Sequence, residues 1–330
     1  MLHVYARKAE RFCRVEFTNA AIEQTITPAL WYDLLEPTAE EVKDLEAALR
    51  LSLPTREEME DIELSARLYQ EDGAEFMTMT ALAHLDTDEP AKMPVTFILR
   101  GGTLVTVRYG DAKPFSAFTQ RALRGNGHNL ATGEDVMLGL LESVIDRMAD
   151  VLERLGNEID VISREVFRSK SVSSSKKTRD LQSLIEQLGR KGDFLSGVRE
   201  SLVSMSRLAA FHAALDNPLH RPTKELRQLV KLLQRDAASL GDHAAFLSGK
   251  INFLLDATLG LINLEQSQII KIFTVASVVF LPPTLVASIY GMNFALMPEL
   301  QWSAGYPFAI GIMFLSALMP FLYFRRRGWV

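Results

Sequence analysis

The segment from Ile272 to Pro298 runs for 27 residues without a charged side chain, and Leu300 to Phe324 runs for 25 more. Glu299 is the one charge between them. A helix needs roughly 20 predominantly apolar residues to cross a bilayer. Two such runs, nearly back to back, demand a pair of membrane spans. The rest of the chain is different in kind. Charged residues make up 23% of the 330 residues and the formal net charge is −5. That is the make-up of a water-soluble part of about two domains, followed by two spans. From these facts alone the spans are either a plain helical anchor or the wall of a pore.

Charges set the expected orientation. Lys271 stands just before the first run, and Arg325, Arg326 and Arg327 follow the second. The connecting loop has no Lys or Arg. Basic flanks favour the cytoplasmic side, so both ends are expected in the cytoplasm and the loop outside. Tyr290, Trp302, Tyr306 and Trp329 stand where the membrane interfaces should be. Arg7, Lys8, Glu10, Arg11, Arg14 and Glu16 interrupt the first residues, so no signal peptide is expected and the first span itself directs insertion. Cys13 is the one cysteine, which fits a reducing compartment.

The first 110 or so residues read as mixed α/β. LHVYARKAERFCRVEF and AEFMTMTALAHLD have the β-branched, aromatic character of strands. VTFILRGGTLVTVRYGD reads as two strands joined at Gly101-Gly102, a hairpin signal. Thr38 and Thr55 are expected N-caps, with Glu41 and Glu58 three residues later completing capping boxes. From Gly133 apolar residues recur at three- and four-residue spacing, the mark of long helices. One runs to the polar stretch 169–178, and a second runs to about Leu215 as its antiparallel partner. After Pro222 no proline occurs until Pro282, an interval of 59 residues. A continuous helix there would reach about 90 Å. Alone in water it would not be stable, because its apolar stripe needs covering. Copies of the same helix in a ring would cover it most simply, so a homo-oligomer is expected.

The expected boundaries are an α/β domain over 1–132, a helical pair over 133–222 and a stalk helix over 223–271. A first transmembrane helix over 272–291, a loop over 292–303, a second transmembrane helix over 304–324 and a basic tail over 325–330 complete the chain. Steps of three and four residues along the first span collect Ile270, Phe273, Ser277, Leu281, Thr284, Ser288 and Gly291 on one face. Small and hydroxylated residues gather there. A ring of such helices gives a narrow pore with polar belts at Ser277, Thr284 and Ser288 and apolar collars at Phe273 and Leu281. The competing use of these hydroxyls is to bond the helix's own carbonyls. Pro282-Pro283 should loosen the wall locally. The second span has no acid, amide or base and is expected to face lipid.

Tyr290-Gly291-Met292-Asn293, then Met297-Pro298-Glu299-Leu300, Trp302 and Gly305-Tyr306-Pro307, lie between the two spans, and YFRRRGWV closes the chain. With NLEQSQIIKIFTVASVVFLPPTLVASIYGMNF upstream, this resembles the CorA family of magnesium channels, in particular those of Gram-negative bacteria. The likeness is specific over roughly residues 250–330 and rests on the order of elements before that. It implies an α+β fold: an N-terminal cytoplasmic α/β domain, a long helical stalk and two C-terminal transmembrane helices, assembled as a homopentameric funnel in the bacterial inner membrane. It implies a divalent cation channel for Mg²⁺ uptake that also passes Co²⁺ and Ni²⁺, with Mg²⁺ as substrate and regulator and no cofactor. By match to the motif, Gly291, Met292 and Asn293 form the selectivity filter at the outer mouth. Mg²⁺ holds its waters tightly. Five Asn293 amides could therefore accept hydrogen bonds from a hydrated ion without stripping it, and weak binding lets the ion leave. Glu299 is expected to attract cations near the mouth or to pair with loop backbone.

Residues 33–89 carry seventeen acids against four Lys or Arg. Most belong on solvated faces. In a ring, divalent cations bound between acidic subunit faces would hold the pore closed. The cluster Asp86, Asp88 and Glu89 ends a strand and could face a neighbouring subunit, and Asp236 falls where the resemblance implies a stalk acid, so these four are the expected regulatory metal site. Two rivals stand beside this reading. A zinc transporter of the same superfamily would usually depart from Met at the centre of the motif, and the six scattered histidines form no soft-ligand cluster. A non-conducting membrane-anchored scaffold would carry no current. No enzyme is expected, since phosphate-loop, nucleophile-elbow and zinc-protease motifs are lacking. The expected partners are copies of itself, the lipid bilayer and divalent cations, with no nucleic acid, because the basic stretch 168–179 lacks interleaved aromatics.

Overall fold

The structure is a computed structural model that describes residues 1–8, 11–15, 29–61, 63–87, 90–125, 130–168, 174–215, 224–292 and 297–329. It divides into two units: Met1–Arg168 with Leu184–Leu254, and Ser169–Ser183 with Leu255–Val330.

Among the described residues the first unit is built on seven strands: β1 (Leu2–Lys8), β2 (Arg11–Val15), β3 (Ala29–Leu35), β4 (Leu68–Glu71), β5 (Ala74–Ala83), β6 (Ala91–Arg100) and β7 (Thr103–Arg108). They lie in the order β2-β1-β3-β7-β6-β5-β4. β3 and β7 run parallel in the middle, and the other neighbours are antiparallel. The β6–β7 hairpin turns at Gly101 and Gly102, both at positive φ, as the Gly-Gly pair predicts. Every residue of β5 is buried. A strand covered on both faces has no reason to alternate, which is why AEFMTMTALA reads as a nearly continuous apolar run.

Helices α1 (Ala39–Leu49), α2 (Arg56–Glu60) and α3 (Leu64–Arg67) follow β3. Thr38 and Thr55 cap the first two, and Glu41 and Glu58 return hydrogen bonds to the cap backbone. Leu45 and Met59 of these helices join one core face of the sheet with Val4, Tyr32, Leu34, Phe76, Ile98 and Val107. On the other face Trp31 meets Phe115 and Phe118 of α4 (Lys113–Leu123), with ring centroids 6.5 and 6.1 Å apart. The parallel seam carries a buried polar network. Arg108 grips Asp33 through two hydrogen bonds, Nε to Oδ1 at 3.0 Å and Nη2 to Oδ2 at 2.8 Å. Thr106 donates to Asp33 Oδ1 at 2.8 Å and accepts from the Trp31 indole at 2.9 Å. Every formal charge there is paired and hydrogen-bonded, as burial requires.

Three long helices follow: α5 (Gly133–Arg168), α6 (Ser174–Ala214) and α7 (Lys224–Tyr290). Glu158 pairs with Lys191 at 2.6 Å, and Arg154 lies over Phe194. Rising numbers on α5 meet falling numbers on α6 from Lys191 to Phe194, so these two are antiparallel. Asp160 pairs with Lys250, and Phe167 meets Phe253, so α7 runs parallel to α5 in this unit. Ser204 of α6 accepts the Thr80 amide of β5 at 3.0 Å. His212 ties the last turn of α6 to the sheet and to the start of α5. Its Nδ1 is 2.8 Å from Glu75 and its Nε2 is 3.1 Å from Glu134.

The second unit holds the remainder of α7 beyond Leu254, a short 3-10 turn Pro298–Gln301 and α8 (Gly305–Arg326). Helices α7 and α8 are long and apolar enough to cross a membrane by length and composition.

Candidate pore-lining face

Along the apolar part of α7 the structure leaves one stripe covered. Val275 is buried, and Val279, Pro282, Pro283, Val286 and Tyr290 are half-buried. α8 carries a matching stripe: Ala309 is buried, and Ile312, Met313, Ser316, Ala317, Pro320 and Phe324 are half-buried. At one end the Lys271 ammonium sits 5.8 Å from the centre of the Trp329 ring. The start of the first span therefore lies beside the end of the second, and the spans form an antiparallel hairpin.

The sequence-derived face falls on the other side. Ser277, Leu281, Thr284 and Ser288 each stand two residues beyond a covered position, about 200° around the helix. All four are exposed in the single chain, as are Ile270 and Phe273. Phe280, Leu285 and Ile289 fill exposed flanks and are suited to lipid. Thr284 donates its hydroxyl proton to the Phe280 carbonyl at 2.7 Å, and Thr274 does the same to Ile270 at 2.8 Å. The back-bond satisfies the Thr284 proton, while its oxygen lone pairs stay free to accept from water. Pro282 and Pro283 are absorbed within α7. They supply no amide hydrogen, so the carbonyls of Val278 and Val279 lose their usual helical donors.

At the end of the span, Gly291 donates to Ala287 at 2.9 Å and Met292 to Ile289 at 3.3 Å. A Cβ on Gly291 would stand 3.0 Å from the Ala287 oxygen, which favours glycine there. Met292 is exposed. Asn293 lies outside the described residues. Glu299 has its backbone in the 3-10 turn Pro298–Gln301. Trp302 packs against Phe308 with centroids 5.4 Å apart.

Of the regulatory residues named from sequence, Asp88 and Glu89 also lie outside the described residues. Asp236 is half-buried on α7. Asp86 is held within its own subunit by Lys113 and Arg147, with Arg154 at 3.9 Å. The Lys113 hydrogen bond, then Arg147, hold its carboxyl below the usual carboxylate range. Sequence reasoning missed these three bases, because nothing local links position 86 to positions 113, 147 and 154. Among the described residues, no group of three or more His, Cys, Asp or Glu side chains is placed to hold a metal ion.

A mixed α/β unit that hands one helix on to an antiparallel pair of membrane-length helices defines a membrane protein with two C-terminal spans and a large polar domain. The chain belongs to the family described as CorA-like Mg²⁺ transporter protein, whose sequence profile matches residues 28–326. The magnesium transport protein CorA of Haemophilus influenzae (strain Rd) is 38% identical over 338 residues, covering 100% of both chains. That of Pectobacterium atrosepticum is 38% identical over 321 residues, covering 96% of this chain and 97% of the relative. The complete structure of the CorA magnesium transporter from Methanocaldococcus jannaschii superposes with a TM-score of 0.82 at 17% identity, covering 100% of this chain and 99% of that one. At that identity the likeness speaks for the fold.

Proposed function

We propose that this chain is the subunit of a homopentameric channel for Mg²⁺ uptake across the bacterial inner membrane, with both termini in the cytoplasm. Ile270, Phe273, Ser277, Leu281, Thr284 and Ser288 line its pore. The observation that carries this reading is the two-sidedness of the first span. One stripe is covered toward α8, and the opposite stripe bears the hydroxyls and two apolar collars. A ring with the first span inside and the second outside buries both kinds of surface suitably. Gly291, Met292 and Asn293 form the outer filter, where a neutral amide ring accepts hydrogen bonds from the waters of a hydrated cation. Octahedral Mg²⁺ releases those waters reluctantly, so reading the shell is less demanding than stripping it. Co²⁺ and Ni²⁺ pass by the same shell. Glu299 adds negative charge beside the mouth and raises the local cation concentration.

Cytoplasmic Mg²⁺ closes the pore by binding between subunits at Asp86, Asp88 and Glu89 of one and Asp236 of the next. Asp86 reaches the cation by releasing Lys113 and Arg147, so those bases compete with the metal. Zinc transport is the second reading. The unmodified Gly-Met-Asn sequence and the scattered histidines weigh against it. Flux into vesicles reconstituted with the full chain tests the assignment, with Mg²⁺, Co²⁺, Ni²⁺ and Zn²⁺ supplied singly and in pairs. Mg²⁺ flux that micromolar Zn²⁺ leaves unaltered is expected. Zn²⁺ flux without Mg²⁺ flux refutes the proposal, and absence of all flux favours a scaffold.

A further inference from the structure

The end of the hairpin where Lys271 meets Trp329 is more ordered than a basic tail needs to be. Helix α8 stops in a two-bond C-cap. Trp329 donates its amide to Phe324, and Gly328 donates to Arg325, both at 3.1 Å. Gly328 takes φ +69°, a conformation that a side chain would strain. The turn folds Trp329 back so that its ring stacks on Phe324, centroids 5.2 Å apart. The same indole receives the Lys271 ammonium on its face at 5.8 Å. Arg327 lies over Tyr323 at 5.4 Å. Lys271, Arg325, Arg326 and Arg327 are thereby gathered at one end of the hairpin, on an aromatic base, and all four are exposed. From Lys271 to Val330 the sequence holds Glu299 as its sole acid, and it stands in the loop that links the other ends of the two spans.

Four exposed cations at a membrane boundary, two of them over the rings of Trp329 and Tyr323 and none of them ion-paired with an Asp or Glu among the described residues, fit one class of ligand. We propose that Lys271, Arg325, Arg326 and Arg327 bind the phosphodiester headgroup of an anionic phospholipid, with the folded-back Trp329 as its platform. Guanidinium pairs bidentately with phosphate oxygens, and anionic leaflets attract basic residues beside a span. Trp329 touches both the pore-side helix, through Lys271, and α8, through Phe324. A lipid held there bridges the two spans of one subunit. The inference uses the membrane placement of the hairpin and is independent of which ion passes.

The test is quenching of Trp329 by brominated lipid, read as the fluorescence of the full chain minus that of Trp329→Phe. Vesicles of phosphatidylcholine contain about a tenth of brominated phosphatidylglycerol, or the same fraction of brominated phosphatidylcholine. The anionic lipid should quench several-fold more strongly. Lys271→Gln leaves the tail arginines and their orientation signal intact, and should lower that preference about fivefold, one basic residue's share at an anionic surface. Arg325→Lys with Arg326→Lys and Arg327→Lys should keep a reduced preference, since the charge stays while the bidentate guanidinium pairing is lost. Equal quenching by both lipids overturns the lipid site while leaving the membrane placement standing. Loss of the preference on adding millimolar inorganic phosphate transfers the site to a soluble anion and also overturns it. No quenching by either lipid overturns the placement of the tail in the membrane, and the proposal with it.

Discussion

Replacing His212 with Gln should weaken the first unit in a pH-dependent way, and the structure gives the size. The imidazole is nearly buried between two buried carboxylates, at 2.8 Å from Glu75 and 3.1 Å from Glu134. Burial pulls its pKa down, but the hydrogen bonds its ring donates to Glu134 and Glu75 outweigh burial and raise it from 6.5 to about 9. At about 1.36 kcal/mol per pKa unit, that lift is a stabilisation of about 3 kcal/mol. Because the folded pKa is above the unfolded one, the contribution is complete below about pH 6.5. It declines as pH rises and is gone above about 9. His212→Gln removes the cation and leaves two carboxylates facing each other, a loss of about 3–5 kcal/mol at neutral pH. Urea denaturation of the detergent-solubilised full chain at pH 6.5, 8 and 9.5 reads this out through fluorescence. Trp31, fully buried in the sheet core, is the reporter. The wild type should lose stability across that window, and the variant should be weaker and nearly flat. A variant that keeps the wild-type slope, or falls within about 0.5 kcal/mol of it at pH 6.5, refutes the buried imidazolium.

Asn293→Ala should abolish selective Mg²⁺ flux while the oligomer still elutes intact from a sizing column, and normal flux removes the amide ring from the filter. Asp236→Lys combined with Asp88→Lys should leave current flowing when internal Mg²⁺ is high. Wild-type inhibition of that double variant removes both residues from the sensor. Arg108→Met leaves the buried Asp33 carboxylate with Thr106 alone among its present side-chain partners and should cost about 3–5 kcal/mol in the same urea assay. Asp33→Asn with Arg108→Met should recover part of that loss, and a double variant no better than the single one contradicts the pairing.

What the sequence announced was local. The Gly101-Gly102 hairpin, the Thr38 and Thr55 capping boxes and the two uncharged runs each carry their signal within a few residues, and all appear in the structure. Strand β3, ALWYDLL, escaped because its residues are covered on both faces, so no alternation marks it. Asp33 was counted among seventeen acids, yet its partner stands on a strand 75 positions away. His212 passed as one of six scattered histidines, although Glu75 and Glu134 meet it 137 and 78 positions upstream. Asp86 carried no hint that three bases of α4 and α5 converge on it. Such long-range pairings are decided by packing, and the composition of a short window contains no trace of them.

Pro282 and Pro283 sit between Leu281 and Thr284 and strip two successive carbonyls of their donors. A helix with two missing rungs is most compliant there, and stiff on either side. On the proposed reading, the pore wall then behaves as two resistors in series rather than as one tube. The lower element holds the apolar collars at Phe273 and Leu281, and the upper one holds Thr284, Ser288 and the Gly-Met-Asn mouth. The lower bore can widen or dry out while the upper bore keeps the radius that suits a hydrated ion. Gating and selection are then separable properties of one continuous helix, with the pair of prolines as the seam between them.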